Sequence, residues 1–498
     1  MRFLIILLLI IGIILTACAT AGENKAAENN TQSDIITTTG VIKSGVPDNK
    51  RFNGETVKLL NNVYYEFDIV TLNVDEYSGD VVNDAIYERN LLVQDRLNVS
   101  IEMTDKFVVG GSDATRTNLV SSLKATILSG ANEYDLVSGS ANCYAPLILE
   151  NYILNLYGAP YIDLNSPWWA KDFIELNHIG KNRYYFLCGD YTVTLLKQLG
   201  CVFVNKTIYT NYFGDPNSIY DIVLKGEWTI DKFMEIGQAV YVDLNGDGVR
   251  DNEDQFGYYM HWSNLTDLFV YSSGIKITDR DADNLPYLVL NDQKTIDLTS
   301  KLYTLIYENE GCLELLAANE TTNITAPNMF KSNTMMMLPS FLYVSEFLRD
   351  METDYGIVPF PKYNALQDNY LTLPMNIMSL FSVPITVSNE TFDIVCAVME
   401  EMSYQGYRMV TPVYFDVALK NKYMRDSNES AVKMLDIMHD TITYEFAFMY
   451  HYELNDLGVF MRLLMRDKNK NFSSYYASVE ETVQAKLETL IEQYMSLG

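Results

Sequence analysis

"ETVKLLNNVYYE" (Glu55–Glu66) and, one loop later, "IYERNLLVQDRLNVSIEM" (Ile86–Met103) carry two different hydrophobic periods. The first run has the β-branched and apolar content of a buried strand. In the second, Ile86, Asn90, Val93 and Leu97 share one helical face, with Leu92 beside it. Asn98 suits the end of that helix, and "VSIEM" reads as a strand again. Strand, helix, strand is the α/β unit. It recurs: "NLVSSLKATILSG" places Leu119, Leu123 and Ile127 four apart with Gly130 as a stop, and "YDLVSGS" follows as a short strand. Ligands of open α/β sheets sit off the carboxyl ends of strands, so the loop Ser138–Tyr144 is a place to look for a site.

The same grammar continues. "GEWTIDKFMEIGQAVYVD" has Thr229 as N-cap, Asp231 in the first turn and an apolar stripe of Ile230, Phe233, Ile236 and Val240. "TMMMLPSF" (Thr334–Phe341) reads as a strand stopped by Pro339, and "YGIVPFPKYN" (Tyr355–Asn364) as a strand ended by two prolines. Val479, Val483, Leu487, Ile491 and Tyr494 define a closing amphipathic helix.

The N-terminus belongs to no fold. Met1 and Arg2 precede an apolar run from Phe3 to Leu15 that only Gly12 interrupts, which is the pattern of a secretory signal. The run is shorter than the roughly 20 apolar residues of a membrane span. "LTAC" (Leu15–Cys18) matches the bacterial lipobox, so residues 1–17 are expected to be removed and Cys18 to carry a lipid. Residues 18–50 are rich in Ala, Asn, Thr, Ser and Gly without an aromatic residue, and read as a flexible tether.

A formal charge of −29 and the lack of a basic stripe argue against nucleic acid as a partner. About 450 further residues exceed one ordinary domain, so two are expected. Cys143, Cys188, Cys201, Cys312 and Cys396 are scattered without a Cys-x-x-Cys and read as buried small side chains; spacing does not decide whether Cys188 and Cys201 pair. His178, His261, His439 and His451 form no zinc spacing, and no nucleophile elbow or phosphate loop is present.

One motif points to a metal. In "DLNGDGVRDNED", Asp243, Asn245, Asp247, the Val249 carbonyl, Asp251 and Asp254 fall on positions 1, 3, 5, 7, 9 and 12 of a calcium loop, with Gly248 at the turn position. Position 12 is Asp where the motif prefers Glu, and its shorter arm reaches less far. A structural Ca2+ is the expectation; the alternative is a solvated acidic turn. A dockerin would need a second such loop.

The lipobox and tether, "ANEYDLV", "NLYGAPYIDLNSPWWA", "GEWTIDKFMEIGQAVYVDLNGDGVRDNEDQFGY", "YGIVPFPKYN" and "PVYFDVALKNKYMRDSNESAVKMLDI" occur in an order that resembles the lipid-anchored extracellular solute-binding proteins, family 1, of bacterial ABC importers. The resemblance runs from Glu55 to the C-terminus. It implies a two-domain periplasmic-binding-protein-like α/β fold with a hinge and an interdomain ligand cleft. Domain I would comprise 51–190 plus 358–409, and domain II 191–357 plus 410–498. It further implies a non-enzymatic receptor on the outer face of the membrane. That receptor would take a small solute of the sugar or oligosaccharide class and pass it to permease subunits. A peptide or other polar ligand is the alternative within binding proteins, and a cell-surface glycosidase the alternative among enzymes.

Strand-end loops and the family's layout together give the candidate ligand contacts. They are Ser140, Asn142 and Tyr144 after "YDLV", Asp190 and Tyr191 at the first crossing between domains, and His261 and Trp262 after "FGYYM". Phe341 after "MMMLPS" and Tyr414 in "TPVYFDVAL" complete the set. Trp168 and Trp169 are assigned to packing at a helix start.

Overall fold

The structure, a computed structural model, describes residues 36–37, 40–63, 71–107, 112–315, 320–419 and 429–497. The signal segment, Cys18 and most of the tether lie outside the described residues. Within the N-terminal unit, Ile36–Thr37 pairs with Gly40–Val41 as a small antiparallel ladder. Everything from Ser44 onward forms the second unit. Ser44–Lys50, assigned from sequence to the tether, lie against that body. Val46 is buried, the Gly45 N–H donates to Glu400 Oε1 at 2.8 Å, and Lys50 Nζ reaches Asp393 Oδ2 at 2.7 Å.

The opening strand–helix–strand is present as β1 (Thr56–Val63), α1 (Val81–Leu97) and β2 (Ser100–Phe107). Asp80 caps α1 by accepting the Val82 and Asn83 N–H groups, and Asn98 ends it at φ 53°. Ile86, Asn90, Val93 and Leu97 are buried, whereas Leu92 is on the outer face. A second helix, α2 (Ser112–Ser129), leads into β3 (Leu136–Ser140). β1 lies between β2 and β3, parallel to both, and is buried on both faces through Val57, Leu59 and Leu60.

The second sheet is built from β4 (Gly200–Asn205), β5 (Phe256–Met260), β6 (Cys312–Glu314), β7 (Met335–Phe341) and β8 (Tyr355–Pro359), in the order β6-β5-β7-β4-β8. β9 (Ser379–Ser382) returns to the first sheet, whose order is β9-β3-β1-β2. Each sheet contains one strand that opposes its neighbours: β4 is antiparallel to β7 and β8, and β9 is antiparallel to β3. In both cases it is the first strand formed after the chain arrives from the other sheet. A third passage follows α5 (Asn389–Gln405), which packs on α1 and β1. It leads through α6 (Thr411–Leu419) to α7 (Glu429–Asp440), which packs on β8. Gly406 begins this passage because a Cβ there would overlap the Asp190 carbonyl of the first.

Three local expectations change. β7 runs through Pro339 to Phe341, paired with β4 from Met337 onward, because its pairing with β5 has already ended at Met337 and the missing N–H interrupts no ladder there. The helix after Thr229 spans Ile230–Gln238 and stops short of Val240. In the last helix, Phe472–Met495, the buried stripe is Tyr476, Val483, Leu487, Leu490 and Tyr494, with Val479 and Ile491 only half-buried. All five described cysteines are buried and none forms a disulfide, Cys188 and Cys201 included. Among the described residues no helix is long and apolar enough to cross a membrane.

Candidate functional site

Backbone hydrogen bonds join the strand ends of the two sheets into one belt. The N–H groups of Ala141 and Asn142, just past β3, donate to Met378 and Asn376 at 2.9 and 3.0 Å. The Met375 N–H donates to the Gln198 carbonyl at 3.0 Å, and the Gly200 N–H to the Leu373 carbonyl at 3.0 Å. The Leu342 N–H, just past β7, donates to Leu199 at 2.9 Å. Residues 373–378 of the second passage therefore lie between the end of β3 and the start of β4, and β4 leads on to the end of β7.

Several side chains along this belt have hydrogen-bonding capacity that the chain itself leaves open. Asn142 Nδ2, Gln198 Oε1 and Asn264 Oδ1 are all buried and without a partner in the chain. Buried polar atoms are ordinarily satisfied, so a cluster of open ones at strand ends marks a place for a polar guest. Lys197, next to Gln198 in sequence, pairs its Nζ with Glu346 Oε1 at 3.2 Å. On the second-sheet side, Trp262 and Tyr343 are half-buried, and Tyr343 lies nearly parallel to Phe341 at 6.2 Å.

Of the residues singled out from sequence, the structure brings Ser140, Asn142, His261, Trp262 and Phe341 to these strand ends. Ser140 closes β3 opposite Ser379. His261 is buried with its ring held neutral: burial, helped by Arg462, pushes its pKa down to about 3. Tyr144 and Tyr191 are instead core residues. The Tyr144 hydroxyl donates to the Leu380 carbonyl, and Tyr191 stacks on Phe381 at 3.4 Å. β9 arrives over both rings and covers them. Tyr414 is buried on α6, where burial and then the Glu346 carboxylate hold its phenol well above the usual range. Asp190 turns to α7, where its Oδ1 is 3.5 Å from His439 Nε2. Trp168 and Trp169 precede the helix Lys171–Leu176, and both indole N–H groups donate to Glu400 Oε2, at 3.1 and 3.0 Å. Sequence reading missed Gln198, Asn264, Asn376 and Tyr343.

The acidic loop is tightly self-bonded. The Asp243 carboxylate accepts the N–H groups of Gly246 and Gly248 at 2.7 and 3.0 Å, and both glycines sit at φ 74°, a conformation side-chain-bearing residues rarely adopt. Asn245, Asp247 and Asp251 each accept an N–H two residues on. Asp254 is fully buried and accepts from the Leu244 N–H at 3.2 Å and the Tyr241 hydroxyl at 3.4 Å. Hard oxygens around a glycine turn fit calcium chemistry. Among the described residues, however, no group of three or more His, Cys, Asp or Glu is gathered for a metal ion.

No protein-family model and no curated protein matches the chain. Solved structures do. A cyclo/maltodextrin-binding protein complexed with maltotetraose aligns with a TM-score of 0.52 and 9% identity, covering 88% of this chain and 96% of the other. The maltose-bound MalE3 of T. maritima gives 0.49 and 10%, covering 89% and 100%. The GacH receptor of Streptomyces glaucescens gives 0.49 and 13%, covering 89% and 100%. The first of these gives the chain a two-domain α/β fold of the periplasmic-binding-protein type; at such identities the likeness concerns fold alone.

Proposed function

We propose that this chain is a family 1 extracellular solute-binding protein. It would capture a neutral sugar or oligosaccharide between its two lobes and hand it unchanged to ABC permease subunits, held to the outer face of the membrane by a lipid on Cys18. The belt of open hydrogen-bonding groups carries this reading. It mixes a donor, Asn142 Nδ2, with acceptors, Gln198 Oε1 and Asn264 Oδ1. A side-chain amide presents either a donor or an acceptor by turning over, and a sugar hydroxyl, which donates and accepts at once, meets both kinds. Trp262 and Tyr343 add aromatic surface of the kind that sugar C–H faces cover. The cyclo/maltodextrin-binding protein of the same fold was solved with maltotetraose.

Isothermal titration of the protein against oligosaccharide and peptide panels tests this. An oligosaccharide should bind, and Gln198→Ala and Asn142→Ala should each weaken it roughly five- to tenfold, the worth of one hydrogen bond. Binding of peptides alone, or hydrolysis of the bound glycan, would sink the proposal.

The acidic loop is proposed to hold one structural Ca2+ once its carboxylates swing from their N–H partners. Added Ca2+ should raise Tm by a few degrees, and Asp243→Ala with Asp247→Ala should abolish the rise. An unchanged melting curve in the native chain would leave the loop as a self-bonded turn.

A further inference from the structure

A pocket of about 360 Å³ opens where the passages between the sheets meet. Its walls include Trp168, Trp169 and Asp190 on one side, Tyr407 of the third passage, and His439 and Asp440 at the end of α7. Most donors around it are spent. Both indole N–H groups go to Glu400, as described above. The two ring nitrogens of His439 face carboxylates, Nε2 at 3.5 Å from Asp190 Oδ1 and Nδ1 at 3.6 Å from Asp440 Oδ1. Lys171, also in the wall, gives its Nζ to Asn165 Oδ1 at 2.8 Å.

Acceptors remain. Asp190 is only 4% exposed, and its Oδ2 has no partner in the chain. Asp172 and Asp440 add two exposed carboxylates to the same wall, so three carboxylates stand against His439 and Lys171. The aromatic rings supply π faces, with Trp168 and Tyr407 6.3 Å apart. Spare acceptors, π faces, few free donors and surplus negative charge select a guest that donates and is positive.

From these groups we infer that the pocket binds the ammonium group of a small organic amine, its N–H donated to Asp190 Oδ2 and its charge placed against the Tyr407 and tryptophan rings. An anion meets the wrong sign. A metal ion lacks ligands, since no group of three is gathered among the described residues. The pocket's volume lies within the range of small-molecule sites. None of the belt's open groups, Asn142, Gln198 and Asn264, lines this pocket, so the inference does not rest on the sugar reading.

Calorimetric titration of the full chain with putrescine at fixed ionic strength tests the inference, with choline and glucose as comparisons. Putrescine should bind saturably. Asp190→Asn should weaken it by about tenfold or more, and Tyr407→Leu several-fold. Choline carries the charge without an N–H donor and should bind at least about tenfold more weakly than putrescine. No saturable binding up to millimolar putrescine, equal binding of choline, or affinity unchanged in Tyr407→Leu would each overturn it. If Asp190→Asn fails to fold, Tyr407→Leu and the choline comparison decide.

Discussion

Replacing Asp267 with Ala should cost about 3–5 kcal/mol of folding stability, read from urea unfolding of the native and substituted chains. Asp267 lies in the first turn of the helix Asn264–Ser272, directly after the strand end that carries His261 and Trp262. Its carboxylate accepts from Arg462 Nε at 2.7 Å and from Nη2 as well, and its side chain is 3% exposed. Burial raises the Asp267 pKa despite the guanidinium beside it. Desolvation is thus already costly, and the pair persists because each charge compensates the other. Removing Asp267 leaves Arg462, whose side chain is 24% exposed, without its counter-charge beside Tyr271 and Tyr444. Removing both, as Asp267→Leu with Arg462→Met, should recover most of the loss. A loss below about 1 kcal/mol for Asp267→Ala would show that water reaches Arg462 and that the pair is not a buried one.

The α/β order was legible because it is local. The 56–63 run carries Val57 and Leu59 on one face and Leu60 on the other, α1 shows its stripe, and Asn98 and Gly130 stand where helices end in left-handed geometry. What was not legible depends on contacts between segments far apart in sequence. Tyr144 follows a strand-like run and Tyr191 falls at the first crossing between domains, so both look like loop residues, yet β9 returns over both and makes them core. Gln198 sits in "LLKQLG", which carries no signal of its own; it joins the belt only because the second passage pairs with it at Met375. Pro339 has the sequence signature of a strand stop, but the side on which β7 lacks a neighbour past Met337 is set by where β5 ends, far away in sequence. Trp168 and Trp169 do pack ahead of a helix as expected, but they also wall the pocket at Asp190, a role that needs α7 in place.

Stability should fall as pH rises from about 6.5 to 10, and His439→Gln should remove that fall. Burial alone would push the imidazolium of His439 toward neutrality. Asp190, and after it Asp440, outweigh burial and raise its pKa to about 10. Asp436, one turn earlier on α7, adds a further negative charge, and the helix end itself favours a cation. A group whose folded pKa exceeds its unfolded value of about 6.5 stabilises fully below that value and loses the contribution as pH climbs through the folded pKa. The slope should therefore appear on the alkaline side and amount to a few kcal/mol. His178 and His261, both pushed down to about 3 by burial, act with the opposite sign and only below pH 6.5, so they leave this window clear. The difference in unfolding free energy between native chain and His439→Gln, followed across pH 6 to 10, isolates the pair. A flat difference would mean that His439 is neutral against Asp190, and the link between the first passage and α7 would then be packing rather than charge.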